Sequence, residues 1–326
     1  MNYSACFILC PVKNSSRMPT GVSVYSDNMI GPFLKSKSFN NLPKAGNHMR
    51  IHRIEERKMG SQEIAACVKP LHYNYSKVWE LIEWIEMNKI LGIEHFYLYI
   101  HDIAPNTSCV LNEYSNQGTA TLLDWNNLPL KSQVDVRTEN MFAALNDCLY
   151  RAMYKHKYLA FFDLDEYLVP KQKENLTGLL SRLEQRVTDS VSFIFRNAFF
   201  YLQWPDDGNY HGLDLVTQKK TMRRNHFQER MERSKFICKP ELTVEVGNHW
   251  LWEMTHKTLK QSFLKTEVAL LHHYRKCEAE GDGCVSYKSE VDKYMWLYRD
   301  QLEGKMLLAQ EIIGKKCGLE PIKRIK

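Results

Sequence analysis

Apolar positions along this chain come in short bursts whose period switches between that of a strand and that of a helix. IAACV at 64–68 is an unbroken apolar run. Ser76 then stands ready to cap a helix whose apolar residues Val78, Leu81, Ile82, Ile85 and Leu91 recur at three and four, with Gly92 as its stop. HFYLYI at 95–100 follows as a second strand, which completes a βαβ unit. TATLLDW from 119 opens the next round, with a helix over about 138–156 that turns Met141, Leu145, Cys148, Leu149 and Ala152 inward, then the run FFDLDEYLVP at 161–170. Strands alternating with helices predict an α/β fold with a mainly parallel central sheet.

The second half is less regular. A helix is expected around 176–185, and VSFIFRNAFFYLQW, KFICKP, VEVGNHWLW and VALLHHYR all read as strands rich in aromatics. A last amphipathic helix is expected over 287–313, where Val291, Met295, Tyr298, Leu302, Met306 and Ala309 repeat at three and four. Its polar face carries both signs, which favours packing on the domain over lying on a membrane. Residues 1–60 are rich in Ser, Asn, Pro and Lys, with one short strand over 22–25, and read as a basic stem or irregular edge. The expected organisation is therefore a stem at 1–60, a catalytic domain at 61–284, and a C-terminal helix and tail at 285–326.

Charge changes this picture little. The formal net charge is +6, but residues 1–60 hold nine Lys or Arg against three acids, and the remaining residues are balanced. A neutral body with a basic leader is a poor nucleic-acid footprint, so that class of partner is set aside. Nine cysteines without a CxxC pair argue against zinc. Their odd number leaves at least one thiol outside any internal disulfide. Five Asn-x-Ser/Thr sequons, at Asn2, Asn14, Asn74, Asn106 and Asn175, lean towards the secretory pathway. No stretch approaches the roughly 18 apolar residues of a membrane span.

Candidate chemistry centres on FFDLDEYLVP, where an apolar strand meets Asp163, Asp165 and Glu166. On a strand, Asp163 and Asp165 point the same way, and their hard oxygens suit Mg2+ or Mn2+. In a parallel sheet this strand end is also the ligand edge. A lone DxD is weak evidence, and a phosphatase of the haloacid dehalogenase type is the nearest rival. Its motif continues with a small residue, lies early in the domain and needs a later acidic motif, none of which holds here. A P-loop is absent.

CVKPL at 67–71, LIEWIEMNKILGIEHFYLY at 81–99, ALNDCLYR at 144–151, FFDLDEYLVP, RSKFICKP at 233–240 and LLHHYR at 270–275 occur in the order found in glycosyltransferase family 92. The chain resembles that family over roughly residues 60 to 280. The resemblance implies a GT-A Rossmann-like fold, a divalent metal (Mn2+, or Mg2+), a UDP-sugar donor, most plainly UDP-galactose, and inverting transfer to a hydroxyl of a glycan or glycoprotein acceptor. It also implies a type II Golgi membrane protein facing the lumen. CPV at 10–12 resembles the start of the lumenal region with no anchor ahead of it, so a truncated product is expected, with membrane attachment only through a missing upstream anchor.

Within that frame Asp163 and Asp165 are the expected metal and donor ligands. His273 of LLHHYR is the expected further metal ligand, with His272 beside it and His249 in reserve. Lys239 and Arg275 are placed to contact the diphosphate. Glu166 points the other way on a strand, towards a ligand or the acceptor. The base that inversion requires is sought among Asp206 and Asp207 of WPDDG and Glu253. Trp204 is expected to stand exposed as a sugar platform, and Cys277 and Cys284 to close a small loop. A non-catalytic glycan-binding protein of the same fold is the alternative from a different class.

Overall fold

The computed structural model describes residues 19–24, 49–51, 63–126, 136–172, 174–278 and 280–325. It divides into two compact units, Cys6–Glu55 and Met1–Ala5 with Glu56–Lys326. In the smaller unit, Gly21–Val22 pairs antiparallel with Met49–Arg50, so the strand expected over 22–25 is shorter and starts one residue earlier.

The larger unit carries the alternation. In chain order it contains β1 (Ile64–Cys67), α1 (Val78–Leu91), β2 (His95–Ile100), α2 (Pro105–Asn116), β3 (Ala120–Asp124), α3 (Met141–Ala152), β4 (Tyr158–Phe161), β5 (Glu166–Pro170), α4 (Leu176–Arg186), β6 (Ser190–Phe195) and β7 (Asn197–Tyr201). There follow β8 (Lys235–Cys238), β9 (Thr243–Val246), β10 (Leu251–Met254), β11 (Lys260–Phe263), β12 (Ala269–Arg275) and α5 (Arg299–Ala309). Seven strands form the central sheet in the order β11-β6-β8-β4-β1-β2-β3. All its pairings are parallel except those of β8, which runs antiparallel to both neighbours. A smaller sheet, β5-β12-β7, stands beside it, and β9 and β10 form a hairpin.

The unbroken apolar runs have a direct cause, since both faces of the central sheet are buried. Along β1, Ile64 and Ala66 face one hydrophobic cluster while Ala65 and Cys67 face another, and β2 and β4 divide the same way. Gly92 ends α1 at φ 108°, where its N–H bonds back to Lys89.

Three expectations need correction. VSFIFRNAFFYLQW is two strands, broken at Arg196 so that β6 joins the central sheet and β7 the small one. The chain also inserts α2, whose Asn- and Ser-rich sequence turns only Thr107, Val110, Leu111 and Tyr114 inward and so shows little helical period. The last helix begins at Arg299, not near 287. Ser289–Val291 pairs instead with Met222–Arg224, and Asp292 is held by Lys171 and Arg223 at 3.3 and 3.2 Å.

The tail returns to the front of the domain. Cys317 bonds to Cys109 of α2, Lys316 pairs with Glu113 at 2.8 Å, and the Trp79 indole donates to the Glu320 carbonyl. Cys67 is bonded to Cys148, and Cys277 to Cys284 across the small loop expected between them. Cys238 is a buried free thiol, whose burial pushes it up to about 12. Cys6, Cys10, Asn2 and Asn14 lie outside the described residues.

Candidate active site

β4 ends at Phe161, and Asp163 and Asp165 lie in the turn that joins it to β5. Strand alternation therefore does not orient the two acids. The turn does, and four groups pin it. The Glu166 N–H donates to the Asp163 carbonyl, and the Asp163 N–H donates to Glu166 Oε2 at 2.7 Å. The indole N–H of the buried Trp84 lies 3.0 Å from the carbonyls of both Asp163 and Glu166. The Tyr274 N–H donates to the Asp165 carbonyl at 2.8 Å. Because β12 pairs with β5 in the register His273 to Glu166, the same strand brings His273 against the acids.

Charge is matched closely here. Asp163 Oδ2 accepts from Lys69 at 3.1 Å and from Lys235 at 3.2 Å. Lys235, 3% exposed, also donates to Asn248 Oδ1 at 2.8 Å and lies 3.6 Å from Glu166. Burial pushes the Asp163 carboxyl up, but Lys235 and Lys69 outweigh it and hold the group well below the usual carboxylate range. Asp165 is half-exposed. Crowding by protein pushes its carboxyl up, and the hydrogen bond and charge of His273 bring it below its ordinary value. Glu166 behaves differently, because its complete burial dominates and raises it. His273 lies between two acids, with Nε2 3.3 Å from Asp165, Nδ1 3.2 Å from Glu166, and Asn197 Nδ2 3.0 Å from Nδ1.

These groups line a cavity of about 410 Å3 together with Lys77, Glu80, Glu83, Arg233, His249, Arg275, Lys276 and Glu278. An adjoining cavity of about 500 Å3 shares Lys69, Asp163, Leu164 and Asp165 and extends along 68–77. Glu83 accepts from the Val216 and Thr217 N–H groups and the Thr217 hydroxyl, at 2.9, 2.8 and 2.7 Å, and its burial pushes it up to about 7.

The structure brings Asp163, Asp165, Glu166, His273, Arg275 and His249 together and leaves the other candidates elsewhere. Glu166 is buried beneath the turn rather than turned to an acceptor. His272 lies on the other side of β12, fully buried, and burial lowers it to about 3. Asp206 pairs with Lys220 at 2.6 Å, and Asp207 with Lys293 at 2.7 Å and the Thr221 hydroxyl at 2.8 Å, outside the cavity. Glu253 stands exposed on the β9-β10 hairpin. Lys239 pairs with Glu184 at 3.1 Å. Trp204 is buried, not exposed, with its indole N–H on the Val285 carbonyl, because the disulfide-closed loop folds over it.

Of the two lysines in RSKFICKP, it is Lys235 and not the expected Lys239 that reaches the site. In a parallel sheet the C-terminal end of each strand lies at the ligand edge. β8 is antiparallel, so Lys235 at its start meets Asp163 and Lys239 at its end does not. Lys69 was missed; the signal that could have found it is its place as the only charge in CVKPL, two residues past the end of β1.

Among the described residues no three His, Cys, Asp or Glu side chains are arranged to hold a metal by themselves. Two anionic carboxylates beside an imidazole nevertheless match a hard dication that takes its remaining ligands from water and substrate phosphates, the usual mode for Mg2+. The donor set fits that cation and not an all-protein cage.

The sequence model of glycosyltransferase family 92 matches residues 62–308, well over half of the chain. A glycosyltransferase family 92 protein of Caenorhabditis elegans, F13G3.3, is 25% identical over 258 residues, covering 76% of this chain and 49% of that protein. The beta-1,4-galactosyltransferase galt-1 of the same organism is 24% identical, covering 70% and 54%. The galactan beta-1,4-galactosyltransferase GALS1 of Arabidopsis thaliana is 22% identical, covering 90% and 62%. The chain thus spans about half to three fifths of the length of these relatives.

Proposed function

Because the chain belongs to glycosyltransferase family 92, we propose that it transfers galactose from UDP-galactose to a hydroxyl of a glycan, with inversion. The observation that carries this reading is the pinned turn at 163–166, two anionic carboxylates fixed at the carboxyl edge of a mainly parallel sheet beside open cavities. The names of two relatives support galactose as the sugar and a glycan as the acceptor.

Asp163 and Asp165 would hold Mn2+ or Mg2+, with His273 as the neighbouring nitrogen. When bound, such a cation acts as a Lewis acid that offsets charge on the departing diphosphate. The chain's own residues do the rest. Trp84 and the Tyr274 N–H keep the turn from moving as charge develops, so little reorganisation opposes reaction. Lys235 keeps the Asp163 carboxyl ionised and Glu166 compensated. Arg275 and Lys276 add positive charge on the wall where UDP leaves. The acceptor proton goes to a carboxylate, and the exposed acids that line the cavity, Glu80 and Glu278, are better placed for this than Asp206, Asp207 or Glu253.

Three disulfides among the described residues support residence in an oxidising compartment, consistent with the Golgi lumen. No helix of the described residues is long and apolar enough to cross a membrane.

The test is a screen of UDP-sugars with Mn2+ and a galactan or N-glycan acceptor, run on wild type and on Asp163→Asn with Asp165→Ala. Transfer from UDP-galactose is expected for wild type, with loss of about a thousandfold or more in the double variant. Full activity of that variant in EDTA would defeat the metal reading. Hydrolysis of phosphomonoesters without any sugar acceptor would favour a phosphatase, and UDP-free glycan binding would favour a lectin-like protein.

A further inference from the structure

The two ammonium groups on Asp163 are not equivalent. Lys235 is buried and has other partners in Asn248 and Glu166, so withdrawing it would strand buried carboxylates. Lys69 has 48% of its side chain exposed, and Asp163 is the only group its ammonium hydrogen-bonds among the described residues. An ammonium released from Asp163 therefore stays in contact with water, and Lys235 still compensates the carboxylate it leaves.

Lys69 also occupies a singular position. It lines the cavity that holds His273 and Arg275, the cavity along 68–77, and a third beside Val136, Thr138 and Met141. The backbone on either side of it is fixed, with the Val68 N–H on the Tyr97 carbonyl and the Leu71 N–H on the Tyr99 carbonyl. The side chain is therefore a free arm on a rigid mount, at the point where these cavities meet beside Asp163.

We propose that Lys69 is a resident counter-ion that leaves Asp163 when the donor binds and becomes a ligand of its diphosphate. A dication arriving at Asp163 would sit within a few ångströms of the ammonium and repel it, while the accompanying diphosphate attracts it into a charge-assisted hydrogen bond. The exchange conserves charge. Asp163 trades one cation for another, and the displaced ammonium neutralises a phosphate oxygen that gains negative charge as UDP departs. This inference rests on the donor reading above and assigns a residue that the sequence motifs alone did not single out.

The exchange predicts effects of opposite sign, which a merely structural lysine would not produce. In the full chain, Lys69→Gln should weaken binding of UDP with Mn2+, measured by calorimetry, by about tenfold or more, the scale of one charge-assisted bond. The same variant should bind Mn2+ alone at least as tightly as wild type, measured from the free-ion electron paramagnetic resonance signal, because a competing cation is gone. Lys69→Arg, which keeps the charge, should stay within about threefold of wild type for UDP. UDP affinity of Lys69→Gln within twofold of wild type overturns the proposal. So does parallel loss of UDP and Mn2+ affinity, which would mark a supporting role. If Mn2+ alone binds neither protein, the UDP comparison decides. A wild type that binds no UDP at any Mn2+ concentration sinks the donor reading itself, a result distinct from the other two.

Discussion

Glu83 sets two opposing effects against each other at a single carboxyl. It is fully buried on α1, which favours the acid, and accepts three hydrogen bonds from Val216 and Thr217, which favour the anion. Burial is the larger influence, and the group titrates at about 7 in the folded chain against an ordinary 4.5. At about 1.4 kcal/mol per tenfold, the difference between those values is worth roughly 3 kcal/mol. An acid raised in the folded state contributes stability that is complete below its unfolded value and is lost as pH rises through its folded value. The window here is pH 4.5 to 7. Glu83→Gln cannot titrate, so its stability relative to wild type should rise by roughly 3 kcal/mol between about pH 4 and about pH 8. For a domain of this size that is about 6–12 °C in relative Tm. A Gln amide facing the Val216 N–H adds a penalty independent of pH, which cancels in the comparison. Thermal unfolding of both proteins across that range, at constant ionic strength, gives the answer. Parallel profiles refute the reasoning, and a gap that moves the other way would mean that the three donors overcome burial.

Two further substitutions probe what holds the site and the tail. Lys235→Met removes the buried ammonium between Asp163 and Glu166 and should cost about 3–5 kcal/mol of stability in urea unfolding. Adding Glu166→Gln should return part of that loss, and strict additivity of the two changes would contradict the pairing. Cys317→Ser opens a bond whose partners are 208 residues apart. The loop-entropy model gives it about 5 kcal/mol at most, so a clear fall in Tm and faster proteolysis after Gly314 are expected, with both proteins converging in reductant. A Tm unchanged by the substitution would show that the tail is held by packing alone.

The first half of this fold was readable because its central strands are covered on both faces and so run unbroken in apolar residues, while α1 and α3 set apolar residues three and four apart between them. Glu166 shows where that clarity ends. Its place in an apolar run reads as strand, yet the chain turns at Asp163 to Asp165, and only the bonds from Trp84 and Tyr274 reveal why. No pairwise spacing in the sequence announces them. Lys69 and Lys235 sat inside recognised motifs, but their charge acquires meaning only through strand direction. Asp207 and Trp204 read as functional because acids and aromatics gathered in one loop, whereas their partners Lys293 and Val285 come from segments far along the chain.

The reversed strand also bears on how the molecule is made. Asp163 to Glu166 leave the ribosome some seventy residues before Lys235, and β8 is the strand that slots between β4 and β6. Until it arrives, β4 has an open edge and the acids have no buried counter-charge. Hydrogen bonding and charge compensation are then completed by the same insertion, a long-range event that makes assembly slow and cooperative. A nascent chain stopped short of Lys235 would carry every acid of the donor site and still be unable to bury them, so no half-built sheet can pass for a working one.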